Sequence, residues 1–466
     1  MHRATLRRSG REPCHLCDAQ RRHAGPDPRV LVCPCSRARS DGRQPRRRGG
    51  SMNILLCGAD GFVGGALAVE LMRGGHRVTR GVHTPRHPGD LAMDYRADTT
   101  VAAWLPRLAN IDAVINAVGI LREQQPDDFD RIHHRTPAAL FEACQQAAVR
   151  RVVQISALGT ASTPYLSSKR AADAVLRKTR AAGVVLRPGL IYGPNGASTR
   201  FFLTLASLPL QAHPRGAGEV QPVHVDDVVE AVVRLIEGAP CGGGLLELPG
   251  PRRLSYADWL ATYRAGLGLA PARVVSIPAP LMALGARISG LIPNSLLSAT
   301  TWAMLRSGNT GDPTAALALL HRPLTAPEQF IRPNDAELLR LRAFACWRKP
   351  LLRAVLAIIW LATAVFSAAL FPVNDSLALL APFGITGAPA LLVLFGLTAL
   401  DLLMGLLTVL RPRRRLWLTQ LALVGCYSLL VAWRLPMFTI HPFGPILKNL
   451  AVAALLVQLL AEEDAP

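Results

Sequence analysis

The sequence is poor in charge and in aromatic rings. Only 18% of its 466 residues are charged and 6% aromatic, while half are apolar. That balance excludes a chain kept unfolded by its own polarity, and it is unusual for a purely water-soluble protein. Paired cysteines are lacking as well. From Cys57 onward the thiols (Cys57, Cys144, Cys241, Cys346, Cys426) are scattered singly, which excludes a disulfide framework and suits a reducing compartment. No continuous apolar stretch follows the basic residues of the first segment, so no secretory signal is expected. Acid is also short, with 32 acidic against 52 basic residues. The excess is not one continuous field: residues 1–51 hold 13 arginines against 4 acids, and residues 346–466 hold 9 basic residues and 5 acids. A basic tail and basic loops beside apolar spans explain the net charge of +20, and no nucleic-acid partner is expected.

Residues 1–51 carry no apolar periodicity and predict no core, so they read as a disordered basic tail. Cys14-x2-Cys17 and Cys33-x-Cys35, with His15 and His23 nearby, are zinc-ligand types. Their spacing is irregular and no hairpin or helix carries them, so no metal site is expected. The tail reads as translated upstream sequence, with Met52 as the start of the folded body.

Asn53–Cys57 is a short apolar run of strand character. It leads into Gly58-Ala59-Asp60-Gly61-Phe62-Val63-Gly64-Gly65 and then a helical pattern, Ala66–Met72. A strand, a glycine turn and a helix N-terminus make an anion site, because bare backbone approaches a pyrophosphate and free N–H groups face its charge. Gly58, Gly61, Phe62, Val63 and Gly64 are therefore candidate dinucleotide contacts. The next strand, His76–Val82, ends without the carboxylate that holds an NAD ribose. His83 and Arg86 stand there instead, so NADP(H) is favoured over NAD(H). Further strands at Ile111–Gly119 and Arg151–Ser156 alternate with helices, among them Ala138–Ala148 with Thr136 as its N-cap and Pro137 at its first position. Alternation of this kind predicts an α/β fold with a doubly wound parallel sheet.

Four motifs in order now resemble the extended and atypical short-chain dehydrogenase/reductase superfamily, of the NAD-dependent epimerase/dehydratase kind. They are the glycine turn, Tyr165-Leu166-Ser167-Ser168-Lys169, Leu186-Arg187-Pro188-Gly189-Leu190-Ile191-Tyr192-Gly193-Pro194, and Val223-His224-Val225-Asp226-Asp227-Val228. Four-residue spacing puts Tyr165 and Lys169 on one helical face, so an ammonium sits near a phenol. The resemblance implies that Tyr165 is the acid/base and Lys169 its activator and ribose ligand. It also implies Ser156 as a further catalytic residue, Asp94 on the adenine edge, and Ala117, Val118, Gly119 and Pro188 along the cofactor. Two positions depart from the pattern. Leu158 stands where the family usually has Ser or Thr, leaving Ser156, Thr160 and Ser162 as substitutes, and His133 stands where it has Asn. Asp112–Gly119 and Phe129–Gly159 are most similar to the nucleotide-binding accessory subunit of respiratory complex I. Residues 52–335 thus read as a Rossmann domain with a small substrate subdomain. Ser255 is its expected capping box, and the stretch from Pro271 to Ser298 lines a substrate cleft or rests on the bilayer.

After a juxtamembrane linker at 336–350, residues 351–466 predict an all-α bundle of four transmembrane spans: Ala354–Phe371, Ala388–Leu410, Leu416–Trp433 and Phe443–Leu460. Their number, length and place resemble the DoxX-like membrane family. Arg348, Lys349 and Arg353 precede the first span and Arg411, Arg413, Arg414 and Arg415 separate the second and third. That bias puts the nucleotide domain on the cytoplasmic side of the inner membrane. Asp401, near mid-span, is expected to pair with Lys448 or backbone, or else to bind a proton or a quinone headgroup. The resulting reading is a membrane-anchored NAD(P)H-binding oxidoreductase or epimerase-like enzyme, whose partners are a dinucleotide, membrane lipid and a small-molecule or quinone substrate. The alternative is a non-catalytic nucleotide-binding assembly or sensor protein of the respiratory membrane.

Overall fold

The computed structural model describes residues 50–179, 183–241, 244–292, 295–440 and 445–463. The basic tail up to Gly49, with its cysteines, lies outside the described residues.

Seven strands form one sheet: β1 (Asn53–Cys57), β2 (Arg77–Val82), β3 (Leu91–Ala92), β4 (Ala113–Asn116), β5 (Arg151–Ile155), β6 (Gly183–Pro188) and β7 (Leu245–Leu248). Their order is β7-β6-β5-β4-β1-β2-β3, and every pairing is parallel. Alternate side chains of a strand face opposite ways, and β1 feeds a core on each side. Ile54 and Leu56 pack with Leu67 and Leu71 of α1 (Phe62–Arg73). Leu55 and Cys57 pack with Trp104, Leu140 and Phe141 on the other face. The doubly wound sheet is therefore as expected. Its chain order reverses at β1, between β2 and β4, which is where such sheets open a crevice beyond their carboxyl ends.

Thr136 is not an N-cap. The helix begins eight residues earlier, at Asp128, and passes through one wide π turn, Arg131–Arg135, before α2 (Thr136–Gln146). A proline in a regular helix collides with the carbonyl four residues back. The wider turn accommodates Pro137 inside the helix, and the Thr136 hydroxyl donates to Tyr95 O at 2.8 Å. Ser255 does cap its helix, α4 (Tyr256–Gly266), accepting from Asp258 N at 3.1 Å, while its own hydroxyl donates to the Asp258 carboxylate.

The small subdomain has its own aromatic core, in which Tyr192, Trp259, Tyr263 and Phe330 pack together. Two strand pairs belong to it, Ile191–Tyr192 with Val223–His224 and Leu210–Pro214 with Arg273–Ile277.

The segment expected as a linker is helical. It is the first half of α5 (Pro333–Val365), a 33-residue helix that runs on into the first span with Pro350 inside it. The reason is packing: Leu339 and Ala343 sit in the subdomain core and Trp347 Nε1 donates to Ser207 Oγ at 3.1 Å. Among the described residues three helices are long and apolar enough to cross a membrane, the one containing α5, α6 (Ala388–Leu410) and α7 (Arg414–Arg434). The fourth expected span is a 19-residue helix, α8 (Pro445–Glu463); its expected start at Phe443 lies outside the described residues. Arg348 and Lys349 pair with Glu462 and Glu463 at 2.6 and 2.9 Å, so the end of α8 returns to the base of α5. Asp401 pairs neither with Lys448 nor with backbone through Oδ1, which is buried without a hydrogen-bond partner among the described residues.

Candidate dinucleotide crevice and active site

The glycine turn is dictated atom by atom. Gly58 has φ +81°, a left-handed conformation that glycine adopts without cost, and it donates to Gly81 O at 2.8 Å. A Cβ on Gly64 would lie 1.9 Å from Gly58 O, so only glycine lets α1 start this close to β1. Gly61 caps α1 with no side-chain hydrogen bond, which leaves the first-turn N–H groups of Phe62, Val63 and Gly64 for a ligand. These features fit a pyrophosphate.

From this turn a crevice of about 290 Å³ opens beyond the strand ends. It is lined by Gly58 and Gly61, by His83 and Asp94 after β2 and β3, and by Ala117, Val118 and Gly119 after β4. Seven of the residues expected from sequence thus meet at one opening. Arg86 is exposed on the adjoining loop, where its N–H donates to Asp90 Oδ2 at 3.0 Å and Arg80 pairs with Asp90 at 3.2 Å. Asp94 accepts from Arg96 N at 2.9 Å, so it is also a turn carboxylate. Pro188 is buried at the end of β6, where its carbonyl accepts from Leu158 N, and it is not among the lining residues.

Tyr165 and Lys169 lie on α3 (Pro164–Lys178), both buried on the same side. Lys169 Nζ is 6.0 Å from the Tyr165 ring centre and donates to Ile155 O at 3.2 Å. A Cβ on Gly119 would stand 3.1 Å from Lys169 Nζ. Lys169 thus packs behind Gly119, and neither it nor Tyr165 is among the residues that line the crevice. Burial pushes the Tyr165 phenol up to about 12 and the Lys169 ammonium down to about 8, the latter opposed by Asp173. At neutral pH the phenol holds its proton and the lysine its charge.

His133 builds the wall beside them. Its Nε2 accepts from Ile120 N at 3.0 Å, so the proton is on Nδ1, which faces Ser168 Oγ at 3.1 Å. Ser168 in turn donates to Tyr165 O at 3.0 Å, and the imidazole stands edge-on to the Tyr165 ring, 5.4 Å between centres. Burial, then the Lys169 charge, hold His133 down at about 2, so it is a neutral positioning group.

The Ser156 hydroxyl is directed elsewhere. It donates to Asp173 Oδ2 at 2.8 Å, on the carboxylate that Arg187 grips at 2.8 and 3.0 Å. Leu158 is buried, with its carbonyl accepting from Asn309. Several lining or supporting residues carried no sequence signal, among them Arg96 and Asp128, whose bidentate pair (2.7 and 3.0 Å) holds the loop after Gly119. Asp173 had one: it follows Lys169 by four residues on the same helix face.

Residues 54–243 match the NAD dependent epimerase/dehydratase family, and residues 357–457 match the DoxX-like family. The chain joins an epimerase/dehydratase domain to a DoxX-like domain. It is similar to the ceramide reductase of Caulobacter vibrioides (strain NA1000 / CB15N), 27% identical over 241 residues that cover 49% of this chain and 74% of that protein. It is also similar to mouse mitochondrial NADH dehydrogenase [ubiquinone] 1 alpha subcomplex subunit 9, at 26% identity over 45% of this chain and 61% of that protein. Among solved structures, MoeE5 in complex with UDP-glucuronic acid and NAD is 22% identical with a TM-score of 0.45, covering 60% of this chain and 96% of MoeE5. The residues that line the crevice, and separately Tyr165 and Lys169, all fall within the 54–243 match, and Asp401 falls within the 357–457 match.

Proposed function

We propose that the chain is a membrane-anchored NADP(H)-dependent reductase whose acid/base residue is Tyr165. The observation that carries this reading is the packing of the Lys169 ammonium against Gly119, itself one of the residues that line the crevice beginning at the glycine turn. When bound, a reduced dinucleotide would supply the hydride for a substrate carbonyl carbon. The protonated Tyr165 phenol then gives its proton to the carbonyl oxygen, and the Lys169 charge stabilises the phenolate left behind. His83 at the crevice mouth and Arg86 beside it favour a 2′-phosphate.

The basic residues flanking the first span and those between α6 and α7 support a cytoplasmic crevice at the inner membrane. Turnover tests the reading: the detergent-solubilised protein is given NADPH or NADH with carbonyl, quinone and sugar-nucleotide panels. Consumption of NADPH with a matching reduced product is expected.

A second reading, a binding protein that keeps the nucleotide without turnover, is favoured by one observation. Leu158 fills the position where the family usually has a hydroxyl, and the Ser156 hydroxyl is held by Asp173. Tight dinucleotide retention with no turnover on any panel would establish it in place of the reductase.

A further inference from the structure

The small subdomain carries an amphipathic helix turned inside out. In Ala279–Gly290 the large apolar side chains Leu281, Leu284 and Ile288, continued by Leu291, are each more than half exposed, while the small Ala286 is buried. At about 100° per residue these four fall within about 80° of one another, a single stripe facing outward. Val274 and Val275 on the strand just before, and Leu210 on its partner strand, are also about half exposed. An outward stripe of this kind is a face for a nonaqueous neighbour.

The chain itself says which neighbour. Leu210 lies three residues after Ser207, whose hydroxyl receives the Trp347 indole N–H. Trp347 is seven residues before Ala354, where the uncharged stretch of the first span begins, so it lies about 10 Å along the helix from the membrane boundary. From Pro271 to Ile292 there is no acidic residue, and the two charges present, Arg273 and Arg287, are exposed. Apolar side chains flanked by arginines match the boundary between acyl chains and anionic headgroups.

The same segment leads to the site. Arg122, on the loop that follows Gly119, donates to Ile292 O at 2.9 Å and to Gly290 O, clamping the end of the helix to the crevice rim. Met304, one helix further on, packs against the buried cluster of Phe129, Tyr165 and Leu166. Through Met304 the segment thus links the buried cluster around Tyr165 to the exposed stripe.

We propose that this face lies in the bilayer interface and forms the entry for a bilayer-dissolved amphipathic carbonyl substrate. The substrate class rests on the assignment of Tyr165 as acid/base; the docking face does not. Sequence left the stretch open between cleft wall and bilayer support; its outward stripe favours bilayer support, and none of its residues is among those lining the crevice.

The test uses the full chain reconstituted in vesicles of phosphatidylcholine with anionic phosphatidylglycerol. Exposed and tail cysteines are replaced by serine, and one fluorophore is placed at Leu284→Cys, Ile288→Cys or, as control, the exposed Glu142→Cys. Lipids brominated near the headgroup should quench the first two labels and not the third. Absence of quenching at 284 and 288 overturns the docking face, and shielding from water without lipid quenching would assign it to a protein partner instead. For the entry, Leu284→Asp/Ile288→Asp is compared with the unsubstituted chain on a long-chain aldehyde carried in vesicles and a short water-soluble one. A loss of about tenfold in kcat/KM confined to the vesicle-borne aldehyde supports the entry; equal effects on both, or none, overturn it. If the labels are quenched and Tyr165→Phe changes neither rate, the docking face stands and the acid/base assignment falls.

Discussion

In the proposed mechanism the chemistry turns on Lys169, and the environment of that residue makes a signed prediction. Burial favours its neutral form, so its folded value, about 8, lies below the 10.5 of an exposed lysine. Below pH 8 the folded chain carries a buried charge that costs stability; between 8 and 10.5 the folded state sheds the proton the unfolded state keeps. This group's contribution to stability therefore rises with pH across that window. Lys169→Met should melt no lower than the unsubstituted protein at neutral pH while losing turnover. In the unsubstituted protein, turnover should fall as pH passes about 8, and in Lys169→Arg the fall should move to higher pH. A profile flat through pH 9 would remove the ammonium from the mechanism. The cofactor mouth makes a second prediction at this scale: His83→Ala/Arg86→Ala should weaken NADPH binding about tenfold and leave NADH binding nearly unchanged, read by fluorescence titration.

These roles were unequally legible. Tyr165 and Lys169 declare themselves because four-residue spacing makes a shared helix face. The Asp173–Arg187–Ser156 network does not, because its members come from α3, β6 and the end of β5, and only the sheet order brings them together.

Among the elements, β1, the glycine turn and α1 could be read from sequence because apolar runs, glycines and helical periodicity fall in the one order that builds an anion site. Gly64 gives that element its test. With a methyl group, Gly64→Ala would push α1 off Gly58 O, costing about 1–3 kcal/mol and most dinucleotide affinity, measured by denaturant unfolding and by binding. Unchanged affinity would mean that the turn does not hold the pyrophosphate. The start of the helix before Pro137 was misread because a proline after threonine has the signature of a helix beginning, and a π turn has no signature of its own. The expected linker at 336–350 is helical, and Leu339, Ala343 and Trp347 anchor it to the subdomain, a contact that no local pattern in the sequence announces. In the membrane half, a Cβ on Gly405 would meet the Leu361 side chain at 2.7 Å. Gly405→Leu should therefore separate α5 from α6 and lower the stability of the bundle by about 1–3 kcal/mol in detergent titration.

For the whole molecule, one helix does two jobs: α5 begins in the subdomain core and ends across the membrane. In the proposed reading this holds the crevice near the bilayer, where a bilayer-dissolved substrate would be met. Composition announced both halves, since low charge with long apolar stretches implies spans and strand-helix alternation implies a parallel sheet. What composition could not announce was their joining through one continuous helix, which depends on which face of α5 finds a partner. The account as a whole stands on hydride transfer in the crevice, and single-turnover oxidation of bound NADPH by the reconstituted chain reads it directly. The account predicts a transfer step that Tyr165→Phe slows about a hundredfold or more while dinucleotide affinity stays within about twofold. Equal rates in the two proteins would contradict it.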